Sequence, residues 1–401
     1  MQFFRNPTLN SIRGTAIRVA VLKLCLVPEI AGAASLVWGE TGTGGSGTWN
    51  ANSSVNWFNG ANAVKWPAPG GTDDDAVFGG ASGTVGLATG ITANDLTFNT
   101  TGYSIQNQTL TLNGATPAIN AASGVTAEIS SAIAGSAGLI KAGAGTLLLS
   151  GNNTFTGNVT VSGGVLQATR SGSFGSGNKS VIATTGSSLR VVLDGLSGNL
   201  TFPSGIGFNL SGATLRNLTG DNIINGQLGA ANGAGNGIIA SDGGSLTFTG
   251  TVRAVNSGGR TLDIRGTSTA DKITGQIIDG TSTLGIIKSG SGTWKISHPN
   301  NTYTGTTTIS AGKLILAGNL QSTALNANSG TLAPEGTPSL AGNFTLAAAA
   351  IYQIRAMPSQ ADRLSVGGNV TLAGGFDLVV SPGTSGGGGF FIFNNRGPPA
   401  A

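Results

Sequence analysis

The phrase KAGAGTLLLSGNNTFTG, Lys141 to Gly157, constrains the fold most, because it returns. KSGSGTWKISHPNNTYTG occupies Lys288 to Gly305, with one residue inserted before the paired asparagines. After each copy comes an alternating stretch with a second glycine turn, NVTVSGGVLQ in the first and TTTISAGKLIL in the second. The unit reads as short strand, tight turn, short strand. A short strand has nothing of its own to bury an apolar face against, so a chain that repeats such a unit stacks it.

The rest of the body follows the same grammar. TVGLATG, NDLTFNTTG, YSIQNQTLTLNG and AEISSAIAG precede the first copy, and SLRVVLDG, ATLRNLTG, SLTFTG and TLDIRG lie between the two. Each alternates apolar with polar residues and closes on a turn residue, the mark of a strand buried on one face. Coiling the chain so that equivalent strands lie about 4.8 Å apart pairs the backbone and makes one continuous core. Glycine and asparagine at the corners permit the backbone to turn from sheet to sheet. Asn152–Asn153 and Asn300–Asn301 fit such corners, with stacked amides bonding between rungs. Phe155 and Tyr303 hold the same place in their copies and read as packing residues. Lys141 and Lys288 also match, and are expected to point to solvent. LAAAAIYQIRAM, Leu346 to Met357, has a helical look, but FTLAAAAIYQIRA also alternates as a wide, bulged strand. A set of β-sandwiches accepts short strands as well. The lack of linkers and a recurrence of roughly 23 residues favour one elongated solenoid.

Composition removes several function classes. The chain has 401 residues and 68 glycines without a third-residue period, which excludes collagen. Its formal charge is +4. Arg5, Arg13, Arg18 and Lys23, against Glu29, place most of that charge in the leading segment. The near-neutral body has no basic patch for nucleic acid. Cys25 is the only cysteine and His298 the only histidine, so the body has no thiolate-based or multi-histidine metal site.

Residues 1–34 read as an export segment: a basic start, the apolar stretch AIRVAVLKLCLV, then EIAGAAS with small residues for a peptidase. Arg18 and Lys23 interrupt the apolar stretch, and an ordinary amphipathic helix is the alternative. No later apolar run approaches the ~20 residues of a spanning helix. Residues 35–75 are expected to cap the solenoid, 76–380 to form it, and 381–401 to be a tail. Trp49, Trp57 and Trp66 lie in the cap, where they plug an open first rung or, as the alternative, line a sugar-binding face.

Carboxylates deserve a direct search, because a β-helix can carry a polysaccharide hydrolase or lyase. Asp73, Asp74 and Asp75 form the densest acidic cluster, a solvated loop or a calcium turn. Asp221, Asp242, Asp263, Asp271 and Asp279 are scattered, and stacked rungs could bring two of them to the spacing that glycoside hydrolysis needs. His298 sits in the turn SHPNN as an exposed turn residue, and no serine elbow accompanies it. No residue is expected to be catalytic, cofactor-binding or metal-ligating.

The chain resembles the passenger regions of bacterial autotransporters and proteins with the autotransporter-associated β-strand repeat. GAGTLLLSGNNTFTGNVTVSGGVLQ and GSGTWKISHPNNTYTGTTTISAGKLIL carry the resemblance. The opening WNANSSVNWFNG and the stretch ADRLSVGGNVTLAGGFDLVV extend it. It implies an all-β, right-handed parallel β-helix exported to the cell surface, adhesive or structural, and without catalysis or cofactor. Its partners would be glycans or proteins of a host or neighbouring cell, or further copies of itself. A complete autotransporter ends in a translocating barrel. Because the present sequence stops shortly after Val380, the expectation is a truncated passenger or a repeat protein exported otherwise.

Overall fold

The computed structural model describes residues 34–67, 74–184, 190–195, 198–230, 235–356 and 361–380. Residues 1–33 of the expected export segment, with Cys25, together with Asp73 and the segment after Val380, lie outside them. Among the described residues there is no helix, and nearly all strand pairings are parallel. The chain coils through three faces per turn as a parallel β-helix, as the alternation and turn residues predict.

Face one runs from Ser35–Trp38 and Asp75–Phe78 through Leu139–Ala142 and Val159–Val161 to Ile277–Gly280. Asn300–Asn301, Asn319–Leu320, Ser339–Leu340 and Ser365–Val366 extend it, the first of them bonded to Ile277 through the side chain of Asn301. Face two begins at Gly47–Trp49 and passes through Thr126–Ile129, Thr146–Leu149, Val165–Ala168 and Arg190–Asp194 to Leu284–Lys288 and Thr307–Ile309. Face three starts as Ile91–Ala93, Leu110–Leu112 and Ile133–Ala134, and resumes as Asp221–Ile224, Ser245–Phe248 and Thr293–Ile296.

The core follows from register. On face two Ile105, Ile129, Leu149, Ala168 and Leu193 are successive partners, and all are fully buried. Each inward side chain rests on its counterparts one rung away, so the apolar faces that single strands cannot bury become one core. The outward neighbours Glu128, Leu148 and Gln167 line up in the same way. The wide strand expected around residue 350 is present as Asn343–Ala356, and its partner Ala324–Pro334 is long too. Each spans two faces, with a register shift between Ala327 and Ser329 where the corner straightens.

The two copies of the phrase do not stack on one face. Lys141 pairs with Ile119 on face one. Lys288 pairs with Ile264 on face two, whose ladder leads back through Ile239 and Leu215 toward Thr146–Leu149. The interval between the copies does not hold a whole number of turns, so the second is rotated by one face. What the phrase encodes is a corner rather than a face.

That corner overturns one expectation. Lys141 and Lys288 do not point to solvent, and both are fully buried. Lys141 Nζ donates to the carbonyls of Ala142, Gly143 and Gly163 at 2.7, 2.9 and 3.0 Å. Lys288 Nζ donates to those of Ser289, Gly290 and Ala311 at 2.6, 2.8 and 3.0 Å. An ammonium has three protons, and each corner supplies three acceptors from two successive rungs. The carbonyls converge because Gly143 and Gly290 take φ of +73° and +67°, where a side chain is strained. Burial pushes both lysines down to about 8, so they are still mostly charged at neutral pH.

The asparagine corners behave as expected. Asn153 accepts from the N–H of Ile133 at 2.8 Å and donates to the carbonyl of Ser173 at 2.6 Å, one rung to either side. Asn301 does the same between Ile277 and Asn319, at 3.1 and 3.0 Å. Leucine in place of either should leave buried backbone groups unpaired and cost roughly 1–3 kcal/mol. Urea midpoints of Asn153→Leu and Asn301→Leu that match the parent would show the amides to be dispensable.

Candidate functional site

Outward positions of face two line an open groove of about 650 Å³. Glu128, Leu148 and Gln167 lie on three successive rungs along its floor, in register. Ser130, Ser150, Thr169 and Asp194 line it where those strands end, with Asn152 and Arg170 beyond. A second hollow of about 260 Å³ shares Asn152, Thr169 and Arg170 and adds Ser171 and Asn199. Strand parity places these side chains outside: Glu128 sits between the inward Ala127 and Ile129, and Gln167 between Leu166 and Ala168.

Both carboxylates of the groove are held. The Ser150 hydroxyl donates to Glu128 Oε1 at 2.5 Å. Gln167 Nε2 donates to Asp194 Oδ2 at 2.8 Å, and the Thr219 hydroxyl donates to Oδ1 at 2.6 Å. Arg170 is exposed, with no ion pair or side-chain hydrogen bond among the described residues. The groove therefore presents oriented acceptors, amides and hydroxyls, with one guanidinium where the two hollows meet. Sequence reading did not single out Glu128, Asp194 or Arg170. They are far apart in the chain, and only the register unites them.

The residues that sequence did single out go elsewhere. Trp49, Trp57 and Trp66 are buried with Trp38 and Phe78, their ring centroids 4.6 to 5.8 Å apart among those three and Phe78. Trp57–Phe58 runs antiparallel to Val37–Trp38 across the edge of face one. The tryptophans plug the first turns and show no stacking face to a sugar. Asp74 accepts from the Ala34 N–H, while Asp75 accepts from the side chain of Asn94 and the N–H of Asp95. Both carboxylates tie turns together, and no group of three potential ligands for a metal ion gathers among the described residues.

Four of the scattered aspartates hold the surface. Asp221 accepts from Ser245, Asp242 from Arg216, Asp263 from Ser289, and Asp279 from Thr304 and the Leu284 N–H. His298 is half-buried rather than exposed. Its Nδ1 meets Asn300 of the same turn, 3.0 Å from the carbonyl oxygen and 3.2 Å from the nitrogen, because the two residues are neighbours in a tight turn.

Asp271 is different. It is buried in a polar seam at the corner of faces two and three, with Asn217, Asn222, Ser241 and Lys288. Its Oδ1 accepts from the Leu246 N–H at 2.8 Å. Its Oδ2 has no hydrogen-bond partner among the described residues, while the Ser241 and Ser268 hydroxyls lie beside the carboxyl. Burial lifts the carboxyl from 3.8 to about 6, and Asp242 adds to the rise against the pull of Ser241, Leu246 and Ser268. The folded chain therefore holds this proton more tightly than the unfolded chain does. Stability from this group falls as pH rises from 3.8 through 6, and the cost is complete above that window. Asp271→Asn keeps the acceptor, adds a donor for the serines and removes the charge. It should stabilise the chain at pH near 7.5 by about 1–2 kcal/mol, after allowing for screening, and little at pH near 4. A variant destabilised at the higher pH would show that the carboxylate is not penalised there.

The model of the passenger-associated-transport-repeat matches residues 139–168 and 286–319, the two lysine corners with their flanking strands. The chain is also similar to the adhesin BmaC autotransporter of Brucella suis biovar 1 (strain 1330), 37% identical over 190 residues. That stretch is 46% of this chain and 6% of the adhesin, so the chain spans a small part of its relative's length. No solved structure matches.

Proposed function

We propose that this chain, a passenger-type repeat protein of the autotransporter class, is an adhesive surface β-helix that binds without turnover. The carrying observation is the in-register solenoid, whose outward positions line up over many rungs and carry polar residues such as Gln167 and Thr308 beside aliphatic ones and a few charges. Such a surface offers repeated hydrogen-bonding groups to a partner over a wide area. The adhesin named above supports the same role. On this reading residues 1–34 direct export, 35–75 cap the helix, 76–380 form the passenger-like body and 381–401 a tail. The partners are glycans or proteins of a host or neighbouring cell.

Beads coated with the full chain should be retained on cultured animal cells or on bacterial lawns above uncoated beads. Equal retention of coated and uncoated beads on every surface would reject adhesion. The groove gives the second reading its footing, since Glu128 and Asp194 share it. A carbohydrate-active enzyme would release reducing or unsaturated ends from a polysaccharide panel, and that release would disappear in Glu128→Gln. The adhesive reading expects no such release.

A further inference from the structure

We propose that the face-two groove is a binding site for a neutral oligosaccharide, held through its hydroxyl groups. The inference rests on the adhesive reading and gives it a ligand class.

Three features of the groove select that class. First, its side chains are mostly polar, Leu148 being the one apolar side chain in the larger hollow. A lipid, or the apolar face of a helix, would bury little there and would desolvate hydroxyls and amides without recompense. Second, the charges are mixed, with Glu128 and Asp194 against Arg170. A phosphate or acidic polymer needs a net positive lining, which two carboxylates deny it. Third, the groups are those that pair with sugar hydroxyls. A carboxylate accepts from hydroxyls, while amides and a guanidinium donate to them. Gln167 and Asn152 supply amides, and Ser150 and Thr169 supply hydroxyls that work in either direction.

Shape adds a fourth point. The two hollows join at Asn152, Thr169 and Arg170, so the site is a path rather than a single cup. A path of linked hydrogen-bonding stations suits a chain of sugar units. Preorganisation is visible too. The bonds from Ser150 to Glu128 and from Gln167 to Asp194 fix both carboxylates before any ligand arrives, which lowers the ordering cost of binding. Among the described residues the Arg170 side chain has no ion pair or hydrogen bond to give up. Its guanidinium can reach a ligand without breaking an existing pair.

The test is calorimetric titration of the full chain with neutral oligosaccharides, with acidic oligosaccharides and oligolysine as competing classes. Arg170→Ala and Glu128→Gln should each weaken the neutral ligand about tenfold or more, the loss of one charge-assisted bond. Lys295→Gln, which breaks a surface ion pair away from the groove, should leave binding unchanged. Circular dichroism would confirm that each variant keeps its strand signal. Failure of every neutral oligosaccharide to bind would overturn the proposal. So would preference for oligolysine or an acidic chain, or equal affinity in parent and both groove variants. Bead retention separates the two levels. Cells that hold the parent and both groove variants equally would leave adhesion standing and remove the groove from it. Retention of none would reject adhesion, and the titration would still decide the groove.

Discussion

Lys288→Met should lower the stability of the chain by about 3 kcal/mol, and Lys141→Met by a similar amount. Methionine has nearly the length of lysine and fits the same apolar path, so the loss isolates the ammonium. In the parent, Nζ satisfies the carbonyls of Ser289, Gly290 and Ala311, which face each other across two rungs. Replacing a buried ion pair by apolar groups can be neutral when both partners go. Here the partners are backbone carbonyls, and no side-chain substitution removes them. They would be left buried and converging, with no donor. The two corners belong to different faces and share no acceptor, so the losses should add in the double variant. Urea unfolding followed by circular dichroism measures both. A double variant with the parent's midpoint would mean that the carbonyls find other donors and that the lysines are not what closes the corners.

Trp57→Ala should cost roughly 3–5 kcal/mol, concentrated in the first turns. The ring is fully buried and lies 4.8 Å from Trp49, 4.6 Å from Trp66 and 5.1 Å from Trp38. No neighbouring rung can refill the space, because the antiparallel strands Trp57–Phe58 and Ala63–Val64 close that edge of face one. In a stacked repeat each rung contacts mainly its neighbours, so the damage should stay near that end. Hydrogen exchange should accelerate in Asp75–Phe78 and Leu96–Phe98 before it changes around Thr293–Ile296. Uniform acceleration along the chain, or none, would show that these tryptophans do not act as a plug.

Much of this fold was legible in the sequence, and the reason is local. Period-two alternation reports which side chains of a strand face the core, and FTLAAAAIYQIRA forms the wide strand that alternation implied. The asparagines were legible for the same reason: a turn residue in an identical place twice marks a corner that needs an amide. The lysines were misread because charge was set above parity. Lys141 shares its parity with the buried Leu139, and Lys288 with Leu284 and Ile286. Followed strictly, parity would have put both inside, and the glycine that follows each by two residues would have suggested what receives them. The rotation of the second copy by one face was not legible, because turn lengths vary and their sum fixes the phase. The groove was hidden for a related reason. Glu128, Gln167 and Asp194 are ordinary polar residues until the register sets them side by side.

Cross-linking of that register offers the most direct measurement. With Cys25→Ser as background, cysteine pairs would be placed at positions 128 and 148, 148 and 167, and 128 and 167. The first two pairs are direct partners on adjacent parallel strands. Their separation of about 4.8 Å is within reach of a disulfide. The third pair spans two rungs, about 9.6 Å, and is out of reach. Mild oxidation should therefore close the first two pairs in high yield and leave the third as free thiols. Efficient closure of 128 with 167, or failure of both adjacent pairs, would contradict the stacking on which the solenoid and its groove depend.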